Sequence, residues 1–287
     1  MNINCSELAT LIGQNDYGNM RDQIMKLWER YFPDDFQISQ ILYEAQGGEK
    51  LEPKLTEQET IKKLEEKSDI NISKKVEECL KETNVVKMQQ IRSDILKQVT
   101  KSNLNKEDKK EMKKSIEKLS NTTFGTNQEL SATEQYALHN NVNVVKKDNY
   151  MRKKIYESKK DNCFNLYIGG KVDGIDSENN LIEVKNRMYK FFNTIRNYEM
   201  VQIQSYLFIT GLTNAKLVEC LKKNKANIKI TDIKRNNDFI ENVITSHLTK
   251  FGLFFENFIE DNDLKMNILG MEDDENVNEI IYQLIYS

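Results

Sequence analysis

A chain of 287 residues can bury one sizeable core with an embellishment, since domains commonly run to a couple of hundred residues. Its 42 Lys and Arg against 45 Asp and Glu give a formal net charge of −3, which excludes a global basic field and leaves any polyanion contact to local patches. Cys5, Cys79, Cys163 and Cys220 form no C-x-x-C pair and His139 and His247 are the only imidazoles, which argues against structural zinc and for free thiols in a reducing, intracellular and cytoplasmic setting.

From Ser6 to Tyr31 the apolar positions Leu8, Leu11, Ile12, then Ile24, Leu27, Trp28 and Tyr31, recur at helical spacing around the turn signal Gly13-Gln14-Asn15-Asp16, predicting two short helices. The opening residues lack the pattern of a signal peptide, and no run of roughly twenty apolar residues calls for a membrane. Residues 1–46 read as an N-terminal helical segment packing on the core, and 47–120 as a Lys/Glu-rich helical insertion with periodicity in Ile61, Leu64, Val76, Leu80, Met88, Ile91 and Ile95. The run KEDKKEMKKSIEK (106–118) mixes both signs and reads as a solvated helix face in preference to a dedicated DNA-binding arm.

The third unit, 121–287, opens with a helix from Gly125 through Glu129, Thr133, Tyr136 and Ala137 to a break at Asn140-Asn141. FNLYIGGKVDGI (164–175) and LIEVK (181–185) are predicted strands of a hairpin about the turn Ser177-Glu178-Asn179-Asn180. A helix follows near Tyr198, through Gln204 and Leu207, then strands at 215–221 and 226–233. A long helix from Asp238 to Glu260 carries a stripe of phenylalanines that reads as core. The tail MEDDENVNEIIYQLIYS, acidic and then apolar, fits either docking on the core or a subunit contact.

Side chains two apart on a strand share a face, so Glu183 and Lys185 emerge together, and the turn brings Asp173 beside them. Two carboxylates and an ammonium suit a hard cation such as Mg²⁺, which prefers oxygen ligands and can bind a phosphate while acidifying a water; Lys185 would orient or deprotonate that water. The plain alternative is an exposed hairpin with a surface ion pair. Charged residues alternating with Ile182 and Val184 on a core strand favour the site, as do the glycines 169, 170 and 174 around Asp173; Asp176 competes with Asp173 but lies farther from the strand end.

GGKVDGID…LIEVK with EMVQIQSYLFITG (199–211), GTNQELSATEQYA (125–137) and the opening INCSELATLIGQNDYG resemble the lambda-exonuclease-like, or YqaJ-like, viral recombinase family of PD-(D/E)xK nucleases. The resemblance covers roughly the first 30 residues and most of 121–260. It implies an α/β restriction-endonuclease-like core, a central mixed sheet flanked by helices, with an additional N-terminal helical region. It also implies a Mg²⁺-dependent deoxyribonuclease, with Mn²⁺ as a substitute, digesting double-stranded DNA 5′→3′ from an end in recombination or repair. Asp173, Glu183 and the carbonyl of Val184 would hold metal, Glu129 a second metal or its water, and Lys185 would be the catalytic lysine. Gln204 would sit beside the centre, preferred over Gln202 by family position, while Ser6 and Arg187 would contact DNA.

Plain alternatives stand beside these roles: a helix-surface carboxylate for Glu129 and a helix cap for Ser6. The family's arginine before the opening serine has no counterpart here, which leaves the terminal phosphate to Arg21 or an inserted lysine; Lys146-Lys147 and Arg152-Lys153-Lys154 are further phosphate contacts to expect. Two rivals remain, a non-catalytic DNA-binding or interaction module on the same fold and an endonuclease of the same superfamily. A single-strand annealing protein and a homo-oligomeric ring are partners compatible with the resemblance, and an AT-rich viral source would place the chain in host cytoplasm.

Overall fold

A computed structural model of the chain describes residues 1–50, 55–82, 84–145, 149–160, 164–187, 190–221, 224–271 and 276–287, with the side chains of 85, 124–131 and 224–226 left aside. It is an α/β structure built on two mixed sheets flanked by helices, with an N-terminal helical region. In the smaller sheet, strand β1 (Asn2–Asn4) runs parallel to β4 (Asn165–Gly170), and β3 (Met151–Glu157) lies antiparallel on the other side. The larger has the order β2 (Val144–Val145), β5 (Gly174–Asp176), β6 (Leu181–Arg187), β7 (Asn214–Leu221), β8 (Asn224–Lys234). The chain passes from one sheet to the other across Lys171–Asp173, which puts Asp173 at the bend between them.

Of the hairpin expected between 164–175 and 181–185 only β5 and β6 pair, Gly174 with Ile182 and Ile175 with Leu181; Asn165–Gly170 is instead β4 of the smaller sheet, because the chain changes sheet at Lys171–Asp173. Asp176 fixes the turn: its carboxylate accepts from Glu178 N at 3.0 Å, Asn180 N at 2.8 Å and the Tyr136 hydroxyl at 2.8 Å, while Asn179 takes the left-handed conformation, φ 62°. From β6 the chain crosses through helix α8 (Asn197–Thr210) to β7, which runs parallel to β6 from Leu181↔Ala215 to Arg187↔Leu221. Alternation along β6 sends Ile182 and Val184 into a cluster with Ala132 and Tyr136 of helix α7 (Lys106–Asn140), while Leu181 packs with Val201 and Leu207 of α8 in the main core. Glu183, Lys185 and Arg187 share the face of Leu181.

The main core joins α1 (Cys5–Leu11), α2 (Met20–Tyr31) and α3 (Pro33–Ala45) to the C-terminal helices. These are α9 (Asn237–Phe239), a π-helical stretch (Ile240–Thr245), α10 (Ser246–Glu260), α11 (Asn262–Gly270) and α12 (Val277–Tyr286). The phenylalanine stripe is core, with Phe258 edge-on to Trp28 at 4.8 Å. The tail docks: Tyr286 donates to the Leu11 carbonyl at 2.7 Å and the Asn278 side chain accepts from Met20 N at 2.7 Å.

A second cluster, which includes Ile61, Leu64, Ile72, Met88, Ile95, Val99, Met112 and Ile116, lies between α4 (Glu57–Glu66), α5 (Ser73–Lys81), α6 (Val85–Lys101) and the first half of α7. Here the structure differs from the sequence reading. The helix expected to open at Gly125 begins at Lys106 and runs 35 residues, with Gly125 inside it, to a left-handed C-cap at Asn141. Asn105 caps its start by accepting from Asp108 N at 2.8 Å, and one glycine in the interior of a long packed helix costs too little to break it. The strands β1, β2 and β3 were not expected; β3 reads MRKKIYE, and three charges in succession obscure the period of two.

Candidate functional site

β6 is paired with β5 only as far as Ile182. Beyond that point Asp173 takes over from the missing neighbour, its Oδ2 accepting from Val184 N at 2.7 Å. On a strand the N–H and C=O of one residue face the same side, so the Val184 carbonyl lies on the Asp173 edge. Glu183, 3% exposed, accepts from Lys185 Nζ at 2.8 Å, and Gln202 Oε1 on α8 accepts a second Nζ hydrogen at 2.9 Å. Burial pushes the Glu183 carboxyl up to about 7, opposed by Lys185 and reinforced by the charges of Asp173 and Glu199. Burial pulls the Lys185 ammonium down, but the attraction of Glu183 and Asp173 outweighs it and leaves Lys185 raised. Glu183 is raised chiefly because it is buried, whereas Lys185 is raised by the carboxylates beside it.

Three elements pack around this centre. Cys5, fully buried at the start of α1, feels the Glu183 charge, and burial with that charge lifts its thiol out of the titratable range. Tyr206 lies one turn beyond Gln202, whose Nε2 donates to its hydroxyl at 3.4 Å. Gly170 has space for no side chain, because a Cβ there would come within 2.8 Å of the Tyr206 ring. Behind Lys185, Arg187 is held by Glu199 through two bonds of 2.6 and 3.0 Å and by Glu219 at 2.7 Å, with its guanidinium 4.0 Å from the centre of the Phe192 ring.

Several sequence assignments change in this light. Gln204, chosen over Gln202, points away: its Nε2 donates to the Lys234 carbonyl at 2.8 Å and its Oε1 accepts from Asn236 N at 2.9 Å, so it fastens α8 to the end of β8. Arg187, expected on DNA, is 8% exposed and saturated by two carboxylates. Arg21, offered for a terminal phosphate, is buried and donates to the carbonyls of Ile268 and Leu269 at 2.8 and 2.7 Å, closing the C-terminal end of α11. Arg152 and Lys153 stack on Tyr167 and Phe208, and Lys154 pairs with Glu157. Ser6 is exposed in the first turn of α1, while the N-cap position belongs to Asn4. Glu129 lies in α7 among the side chains left aside, and Lys146, Lys147 and Cys163 lie outside the described residues. Asp173, Glu183, Val184 and Lys185 do come together. Among the described residues no group of three or more His, Cys, Asp or Glu is placed to hold a metal ion, so the donor set on view is two carboxylates and a carbonyl.

Gln202, Glu199 and Glu219 escaped the sequence reading. Glu199, Gln202 and Tyr206 are spaced three and four apart, one face of an otherwise apolar helix, and that spacing was the available signal. Glu219 gave none, since its partner Arg187 is remote in sequence.

Comparison with family models gives one match, described as the MAP2/Tau projection domain, over residues 36–204, more than half of the chain. By that extent the chain belongs to this family. The MAP2/Tau projection domain match starts partway along α3 and stops partway along α8, and so follows no packing unit of the fold. It spans the whole Lys/Glu-rich lobe, and membership brings no site residue with it. No curated protein matches. Among solved structures, the alkaline exonuclease LHK-Exo from Laribacter hongkongensis is 19% identical, covering 47% of this chain and 69% of its own, with a TM-score of 0.36. The same enzyme in complex with dAMP gives the same identity and TM-score over 68% of its chain. SSO0001 is 17% identical over 50% of this chain and 71% of its own, with a TM-score of 0.35. Likeness at this level carries no weight for the site, which rests on its own geometry.

Proposed function

We propose that the chain is a divalent-metal-dependent deoxyribonuclease that hydrolyses phosphodiester bonds at double-stranded DNA ends, 5′→3′. The observation that carries the reading is the convergence of Asp173, Glu183 and Lys185 where β6 loses its pairing with β5. The fully buried carboxylate of Glu183, with the half-buried Asp173 near it, is costly to fold. The donors fit Mg²⁺ or Mn²⁺, which take hard oxygen ligands: Asp173, Glu183 and the Val184 carbonyl would hold the ion. When bound, the ion would supply Lewis-acid chemistry at the scissile phosphate.

The rest falls to the protein. An ammonium has three N–H donors; Glu183 and Gln202 take two, and with the third the partly exposed Lys185 would orient the attacking water and stabilise charge developing on the phosphate. Asp173 is fixed at the same edge of β6 by the Val184 N–H, which its Oδ2 accepts at 2.7 Å. Preference for ends draws on the resemblance of the SELATLIGQNDYG segment, which forms α1 after Cys5 and the turn that follows, with Cys5 close enough to Glu183 to feel its charge.

The deciding experiment is degradation of a linear duplex labelled at its 5′ or 3′ end, with Mg²⁺ or EDTA, beside a closed circle and the Lys185→Ala protein. Metal-dependent loss of the linear DNA alone, 5′ label first, reduced at least a hundredfold by the substitution, is the expected result. Cutting of the circle would make the chain an endonuclease, and no cleavage by folded protein would make it a binding module.

A further inference from the structure

The run from Lys106 to Lys118 mixes both signs in sequence, and the helix sorts them. Lys106, Lys109, Lys110 and Lys113 recur at i, i+3, i+4 and i+7, and these four alone line one shallow depression on α7. Met112 and Ile116, about a quarter turn round the helix, enter the core of the helical lobe, so the lysine face flanks that core. Among the described residues none of the four makes an ion pair, whereas Lys118, farther along, pairs with Glu57. Helix stability does not account for them either. They occupy the first turns of α7, where the positive end of the helix dipole disfavours cations, so dipole and side chains add to one positive potential. At a rise of about 1.5 Å per residue the four span roughly 10 Å, the length over which one strand of duplex DNA presents about three phosphates.

We propose that this lysine face of α7 is a docking surface for the phosphate backbone of duplex DNA; the choice of DNA among polyanions rests on the nuclease reading. It stands apart from the Asp173–Lys185 centre, since the part of α7 that packs on β6, at Ala132 and Tyr136, lies about 33 Å farther along the helix. The surface reads no sequence. It adds affinity and register to an enzyme whose net charge of −3 supplies no general attraction.

The test is binding of a labelled blunt duplex in EDTA, across a salt series, by the full chain and by K106Q/K109Q/K110Q/K113Q. The slope of log Kobs against log salt should become shallower by about three, roughly 0.9 for each phosphate no longer neutralised, with affinity at low salt down at least tenfold. The four-fold Lys→Arg variant, which keeps the charge, should retain the slope and shows that the helix tolerates substitution. An unchanged slope overturns the proposal. So does an equal loss in K74Q/K75Q/K97Q/K101Q, which removes four lysines elsewhere on the lobe, or a surface that binds phosphatidylserine vesicles and not DNA. No cleavage enters the measurement, so a failed nuclease reading would leave the slope change intact, while failure of the lysine face would leave cleavage intact and the slope unmoved.

Discussion

Residues two apart on a helix leave it about 200° from each other, so Gln202 and Gln204 cannot serve the same site. Gln202 holds Lys185, and Gln204 holds the backbone at Lys234 and Asn236. Their alanine variants should separate. Gln202→Ala should lower cleavage on the order of tenfold to a hundredfold with the melting temperature nearly unchanged, because it frees the ammonium to leave its aimed position. Gln204→Ala should lower stability by about 1–2 kcal/mol, because it removes two part-buried hydrogen bonds between α8 and the end of β8. Equal kcat losses without a stability difference would contradict this division. Arg187 poses a harder case: its removal leaves Glu199 and Glu219 buried beside Lys229 alone, an uncompensated charge expected to cost about 3–5 kcal/mol. Arg187→Met should therefore unfold well before the native protein in chemical denaturant, and a variant as stable as the parent would show that the cluster is not a buried network. The carboxylates and lysine of the site were legible because a strand's period of two is local. Arg187 was misread because what neutralises it lies 12 and 32 residues away, beyond any periodicity.

At the scale of elements, β3 shows how a strand hidden by its charges is held. It lies at the side of the smaller sheet, and Glu256 of α10 gathers the chain just after it, accepting from Ser158 Oγ at 2.7 Å, from Lys159 and Lys160 N at 3.2 and 3.0 Å, and from the Tyr156 hydroxyl. The Tyr156 hydrogen bond, more than the opposing burial, holds the Glu256 carboxyl below its ordinary value, with Ser158 and the two backbone donors assisting. A carboxylate depressed in the folded state adds stability above the unfolded value near 4.3, and that stability is lost as pH falls through the depressed folded value. Glu256→Gln should cost about 1–3 kcal/mol at neutral pH, and the gap between native and variant should close on acidification below about pH 4. Urea unfolding at pH 7 and in the acid range measures both; a gap that stays constant would mean the carboxylate's charge plays no part. The hairpin, α8, β7 and β8 were readable because turn residues and period changes mark them. The start of α7 was not, since Gly125 looks like a boundary until the packing on both of its sides is seen.

The whole molecule has two separate principal cores, one under the sheets and the C-terminal helices, the other within the four helices from Glu57 to the middle of α7. α7 links the lobe to the larger sheet, contributing Met112 and Ile116 to the lobe's core and Ala132 and Tyr136 to the small cluster beneath β6. Composition announced the lobe, because Lys and Glu on a helical period of apolar residues cannot extend a sheet core, but it could not say that the lobe has an interior of its own. A chain with two cores joined by one helix should open in parts, since local opening free energies follow local burial. Ile95→Ala empties a fully buried position in the lobe and should cost it about 2–5 kcal/mol. Hydrogen exchange should then quicken across 57–116 and stay unchanged across 165–187 and 214–221, with cleavage in Mg²⁺ retained. If protection instead fell equally in both regions, α7 would be coupling them into one cooperative unit, and the lobe would have to be counted as part of the catalytic fold.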